Sequence, residues 1–155
     1  MSEPRPEQVI EANIQVHTRM ADSYNRNEPH YRPENRAKVR ARLEEMRRRF
    51  GGARLLDLGC GTGFVIDLAK DRFDAVDGVD VTQAMLDRVD LSSGNVRLQR
   101  CAAEALPFAD ASFDVVSAYA FVHHLKDYSS ALREAYRVLK PGGGCYIDLE
   151  PNRLF

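Results

Sequence analysis

The stretch Leu55-Leu56-Asp57-Leu58-Gly59-Cys60-Gly61-Thr62-Gly63 constrains this chain more than any other. Its apolar start reads as a buried strand, and the glycines force a tight turn into the apolar-periodic Phe64-Val65-Ile66-Asp67-Leu68-Ala69. Glycines there let a ligand approach the backbone and tolerate positive φ. The N–H groups at the start of the following helix favour an anion, either a phosphate or a carboxylate. A dinucleotide fingerprint, G-x-G-x-x-G, would put its third glycine at Phe64, so it fails. A P-loop needs Lys and Ser/Thr after its last glycine, and Phe64-Val65 follow Gly63 instead. What stands is an acid on a strand followed by Gly-x-Gly-x-Gly.

The length of 155 residues fits one domain with a real core. With 22 basic against 23 acidic residues, nothing global points to nucleic acid or an anionic membrane. Cys60, Cys101 and Cys145 form no C-x-x-C pair, and no histidine stands at zinc-finger spacing, so the expectation is a reducing cytoplasm and no structural metal. No apolar run reaches the length of a membrane span, and the polar start carries no targeting pattern.

In chain order, Val9, Ile10, Ile14, His17 and Met20-Ala21 recur at helical spacing, with an end before Asp22-Ser23. Tyr24 to Pro33, with two prolines and several asparagines and aromatics, reads as an ordered loop and a candidate lid. Pro33 suits the start of a second helix with the stripe Val39, Leu43, Met46 and Phe50, stopped by Gly51-Gly52. Its many arginines are interleaved with Glu34, Glu44 and Glu45 and read as a solvated face. Ala75 to Asp80 is a second strand, followed by a helix over Gln83 to Val89 with Thr82 as its N-cap. Val96 to Arg100 and Phe113 to Tyr119 are the next strands. Ser129 or Ser130 caps a helix ended by Lys140-Pro141-Gly142-Gly143-Gly144, before a fifth strand from Cys145 to Leu149. Strands alternating with helices predict a parallel sheet covered on both faces, with its ligand beyond the C-terminal strand ends.

Those ends carry the candidate site. Asp80 closes a strand where a carboxylate can accept from both hydroxyls of a ribose, and Val81 and Met85 would offer apolar contacts to a nucleobase. Asp57 either touches a ligand ammonium or organises the glycine loop through its N–H groups. Cys60 reads as a small side chain tolerated at a tight place rather than a nucleophile. His123 and His124 can take a proton near neutral pH. Tyr24 and Tyr119 are candidate pocket-lining phenols.

From Leu55 to about Pro151 the order of motifs resembles that of the small class I S-adenosylmethionine-dependent methyltransferases related to the ubiquinone/menaquinone and "type 11" groups. The resemblance rests on Leu55 to Gly63, Val79-Asp80 with Met85-Leu86, Ala103-Glu104-Ala105-Leu106-Pro107-Phe108, Ser112-Phe113-Asp114-Val115-Val116, and Leu139-Lys140-Pro141-Gly142-Gly143. It implies an α/β, doubly wound Rossmann-like sheet of about five parallel strands over 51–155, with an N-terminal helical cap over 1–50. It also implies S-adenosylmethionine lying over Gly59, Gly61 and Gly63, with Asp80 on the ribose, Ala103-Glu104 on the adenine side and the Tyr24 region as a lid. S-adenosylhomocysteine is then the product, and the acceptor is expected to be a small molecule.

Two features depart from the family pattern. Ala102 stands where an acid usually contacts the adenine amino group, and the sequence stops at Phe155 where the family continues with a helix and two strands. An open sheet edge follows, and with it an expected homodimer through that edge. Methyl transfer mostly needs positioning and exclusion of water, so His123 or His124 is a base only if the acceptor must lose a proton. The rival reading is a cofactor-binding, non-catalytic module that needs a partner or the missing region. A nicotinamide-dependent oxidoreductase is disfavoured by Phe64.

Overall fold

Adjacent residues of a strand face opposite ways, and Leu55 and Leu56 are both fully buried, so their strand is covered on both sides. That strand, β1 (Arg54–Leu58), is the centre of the sheet in the computed structural model, which describes residues 5–150. β2 (Ala75–Asp80), β3 (Val96–Arg100), β4 (Phe113–Tyr119) and β5 (Leu139–Asp148) complete it in the order β3-β2-β1-β4-β5, every pair parallel. The parallel sheet covered on both faces that the alternation of elements predicts is the one that forms, with the doubly wound order that the family resemblance implies. The helices are α1 (Pro6–Met20), α2 (Tyr24–Asn27), α3 (Pro33–Phe50), α4 (Phe64–Ala69), α5 (Gln83–Leu86) and α6 (Tyr128–Val138).

One face of the sheet packs Leu55, Val76, Val115 and Tyr146 against Val39, Leu43 and Met46 of α3 and Phe64, Val65 and Leu68 of α4. The other packs Leu56, Phe113 and Val116 against Ala131, Ala135 and Val138 of α6. The α3 stripe read from spacing is therefore core, and a fully buried Leu43 contributes about 1.5–3 kcal/mol. The basic residues of α3 lie outside it, and several meet acids, among them Arg36 with Asp67 at 2.7 Å and Lys38 with Asp148 at 3.2 Å. Gly78 in the middle of β2 is a place of close approach, because a Cβ there would stand 2.6 Å from Ile66 Cδ1 and 3.0 Å from Cys60 Sγ. Its bare backbone lets α4 and the glycine loop settle on the sheet.

Four local expectations change. The segment read as a loop from Tyr24 to Pro33 contains α2 and a 3-10 turn over Pro29–Tyr31, held by Glu28 N donating to Tyr24 O. The helix after β2 stops at Leu86, and the Thr82 hydroxyl is buried without a partner instead of capping it. Asp127, not either serine, caps α6, accepting from Ser130 N at 3.0 Å; an ionised carboxylate is the stronger acceptor there. The Lys140–Gly143 run does not separate α6 from the strand. β5 begins at Leu139 opposite Phe113, and the pairing resumes with Gly144 opposite Val115, so the intervening residues bulge.

The chain runs outward from β1 to β2 and β3, then returns to place β4 on the other side of β1. Strand order thus reverses between β1 and β4, whose last paired residues are Leu58 and Ala118. At such a reversal the connections leave in opposite directions and a crevice opens beyond the strand ends.

Candidate active site

Gly59, Gly61 and Gly63 take φ of +62°, +52° and +90°, the left-handed region that the motif anticipates. Asp80, at the end of β2, fastens this loop: Gly61 N donates to one carboxylate oxygen at 2.9 Å and Thr82 N to the other at 2.8 Å. An ionised carboxylate has about four acceptor sites, so Asp80 retains capacity for two further donors.

Asp57 takes no such role. It is 2 % exposed and accepts from the Ser117 hydroxyl of β4 at 2.7 Å. Burial pushes its carboxyl up to about 7, against the Ser117 hydrogen bond and with help from the charge of Asp80. A cation placed beside it would favour the ionised form.

Two adjoining recesses lie at the crevice and share Tyr24, Gly59, Gly61 and Ala120. The larger is walled by Val79, Asp80, Val81, Met85, Cys101, Ala103 and Glu104 on one side, and by Phe121, His124, Leu125 and Lys126 on the other. α1 covers it with Val9, Ile10, Asn13 and His17, so much of the face that recurs at helical spacing is the inner wall of a cleft. The smaller recess has Asp57 and Cys60 at the strand end, with His30, Tyr31, Phe64 and Tyr119 around them. Of the residues singled out from sequence, only Gly63 and His123 are absent from both linings. Gly63 is the N-cap residue of α4 and lines a separate polar groove with Arg36 and Arg88.

Burial, then Glu28, Tyr31 and Asp80, raise the Tyr24 phenol, which stays protonated. Burial holds the His30 imidazole down at about 4. Burial pushes the thiols of Cys60 and Cys101 up, so neither is a thiolate at neutral pH. Tyr119 receives a hydrogen bond from Asn35 at 2.7 Å.

The two histidines divide. His123 is exposed and its Nδ1 lies 2.7 Å from Glu150. The same carboxylate accepts from the backbone N–H groups of Phe121, Val122 and His123 at 2.8–2.9 Å, which fixes the 3-10 turn Val122–His124. Burial would raise Glu150, but the His123 ring and those N–H groups outweigh it and hold the carboxyl low. His124 faces the cleft, its ring 5.2 Å from His17 edge-on and 4.1 Å from His123. Burial, with the neighbouring His123 and His17, holds it at about 4, so it is a neutral imidazole. Asn13 donates to its backbone carbonyl at 3.1 Å, joining α1 to the turn.

Glu134 and Arg137 of α6 secure the segment that brings Ala103 and Glu104 to the cleft. Leu106 N donates to Glu134 at 2.7 Å, and Arg137 donates to the carbonyls of Leu106 and Phe108 at 3.0 and 2.8 Å. These residues, Glu150, and the α1 lining carry no motif of their own in the sequence. Among the described residues there is no cluster of three side chains suited to a metal ion, and no helix is long and apolar enough to cross a membrane.

A glycine loop tethered to an acid at the end of β2, with a buried acid near the end of β1, thus stands where the strand order of a doubly wound sheet reverses. Residues 56–147 match the model of the family described as "Methyltransferase domain", more than half of the chain, and the chain belongs to that family. It is 34% identical over 118 residues to a probable S-adenosylmethionine-dependent methyltransferase of Mycolicibacterium smegmatis, spanning 72% of this chain and 43% of that protein. Over 99 residues it is 39% identical to a demethylmenaquinone methyltransferase of Chlorobaculum parvum, spanning 63% and 41%. The crystal structure of YcgJ from Bacillus subtilis superposes with a TM-score of 0.62 at 31% identity, over 69% of this chain and 48% of that one. The chain thus spans less than half the length of these relatives.

The residues present fit the family's cofactor. The larger recess pairs a carboxylate having free acceptor sites with the apolar Val81 and Met85, as an adenosine requires. The smaller offers a buried acid, Asp57, beside the bare backbone of Gly59 and Gly61, as an amino-acid end requires.

Proposed function

We propose that this chain transfers the methyl group of S-adenosylmethionine to a small-molecule acceptor. The observation that carries the reading is the convergence of Asp57, Asp80 and the glycine loop on one cleft, whose other wall carries a neutral histidine. S-adenosylmethionine, when bound, supplies a methyl carbon already activated by a sulfonium. The chain's own work is to bind, align and keep water out. Asp80 holds the ribose hydroxyls, Val81 and Met85 flank the base, and Ala103 and Glu104 meet its edge. Gly59 and Gly61 cradle the amino-acid end, Cys60 fills space beneath them, Asp57 faces the ammonium, and Tyr24 and Tyr119 close the recess. Where the acceptor must lose a proton as it takes the methyl group, the neutral imidazole of His124 on the facing wall would accept it. His123, held by Glu150, positions His124 and the turn.

Methyl-labelled S-adenosylmethionine tests the reading. Label should pass to an acceptor bearing an ionisable hydroxyl or amine, with S-adenosylhomocysteine formed in equal amount. His124→Ala should slow transfer by about a hundredfold while leaving affinity for S-adenosylhomocysteine nearly unchanged. Cofactor binding with no transfer to any acceptor would support the non-catalytic module instead.

The homodimer belongs to the same proposal. Among the described residues β5 pairs only with β4, and Ile147 on it and Leu149 just after it are 42% and 47% exposed, whereas the opposite edge strand β3 presents the exposed Arg97, Gln99 and Arg100. Charged edges resist pairing and apolar ones invite it. A monodisperse monomer in sedimentation at micromolar concentration would contradict the dimer.

A further inference from the structure

Thr62, between the last two glycines, is 6% exposed, and both of its hydroxyl contacts run to the segment that precedes α3. Its hydroxyl donates to Asn25 Oδ1 at 2.5 Å and lies 2.7 Å from the Tyr31 hydroxyl. A threonine hydroxyl has one proton. With that proton on Asn25, Tyr31 must be the donor to Thr62, so Thr62 has none to offer a ligand.

Asn25 and Tyr31 bracket the rest of this segment. Tyr24 is adjacent to Asn25 and lines both recesses. His30, beside Tyr31, packs its ring 4.9 Å from Phe64, the first residue after the loop, and 5.9 Å from Tyr24. Asn35 secures the far end, donating to His30 O at 2.9 Å and to the Tyr119 hydroxyl at 2.7 Å. The glycine loop and the 24–31 segment are thus joined by a polar contact at Thr62 and an aromatic one at Phe64.

We infer that Thr62 is a positioning residue that latches the 24–31 segment to the glycine loop and so sets Tyr24 against the amino-acid end of the cofactor. The inference rests on the cofactor placement proposed above. A ligand that orders the loop then orders the segment, and a segment held in place slows the ligand's escape. Thr62 acts through Tyr24, without touching the ligand by its own proton.

The test compares Thr62→Val, which keeps the shape and removes both hydrogen bonds, with Thr62→Ser, which keeps the hydroxyl. S-adenosylhomocysteine is the probe, followed by stopped-flow binding and by amide hydrogen exchange over residues 24–31. Thr62→Val should bind about tenfold more weakly, the two lost hydrogen bonds appearing as faster dissociation. Ligand-induced protection of amides 24–31 should be lost with it, and Thr62→Ser should restore both. If Thr62→Val does not fold, Tyr31→Phe removes a single hydroxyl at a half-buried site and should bind about threefold more weakly. Wild-type affinity and protection in Thr62→Val, or in Tyr31→Phe where that variant stands in, overturns the latch alone. No binding by the wild-type chain overturns the cofactor reading, and the latch with it.

Discussion

Alanine in place of Gly59 destabilises the fold and abolishes tight cofactor binding together. The backbone there has φ +62°, and a Cβ would overlap the ring of Phe121. Left-handed backbone costs a side chain about 1–2 kcal/mol, and forcing the ring aside adds about 1–3 kcal/mol. Phe121 leads into the Val122–His124 turn, so its displacement moves the wall facing Asp80 as well as the loop. Gly61 is the internal control. Its φ is +52° but no heavy atom lies within 4 Å of its Cβ position, so Gly61→Ala carries the backbone cost alone. Thermal melts and S-adenosylhomocysteine titrations of the two variants separate strain from collision. Equal losses in both would show that the Phe121 contact is not what position 59 protects.

Cofactor affinity depends steeply on pH through Asp57. Its folded carboxyl titrates at about 7 against an ordinary 3.8, so between those values the folded chain holds a proton that the unfolded chain releases. The stabilising contribution of Asp57 is fully present below the unfolded value and is lost as pH rises through about 7. A bound ammonium reverses the preference by stabilising the carboxylate, so binding below the folded value expels the proton. Affinity for S-adenosylhomocysteine should therefore weaken by up to about tenfold per pH unit below neutrality and level off above it. Calorimetry in buffers of different ionisation enthalpy reads the released proton directly. His30 and His124 titrate near 4, outside this window. Asp57→Asn should flatten the profile. A flat profile in the wild-type chain would remove Asp57 from the ammonium site.

The sheet was legible because its signals are local. Leu55 to Leu58 and Val115-Val116 are apolar without interruption, as strands covered on both faces must be, and three glycines in five residues have few other uses. Asp80 was legible from its place at the end of a strand, yet its second task, fastening Gly61, was not. Sequence offers no sign of which of two acids a loop N–H will choose. Asp57 was the equally reasonable candidate, and burial against Ser117 of another strand decided otherwise. Thr62 with Asn25 and Tyr31, and Glu150 with the Val122–His124 turn, join residues separated by about thirty positions. Such contacts exist only once the topology is set. The α6 cap shows a smaller limit: Asp127, Ser129 and Ser130 are all capping types, and residue type alone does not choose among them.

Calorimetric titration of the chain with S-adenosylmethionine and S-adenosylhomocysteine, beside Asp80→Ala, tests the central claim most directly. Saturable one-to-one binding is the predicted result, weakened in the variant by about 1–3 kcal/mol as the ribose loses its acceptors and Gly61 loses its tether. A folded wild-type chain that binds neither compound, or an Asp80→Ala chain that binds as tightly as the wild type, would contradict the assignment of this cleft as the cofactor site.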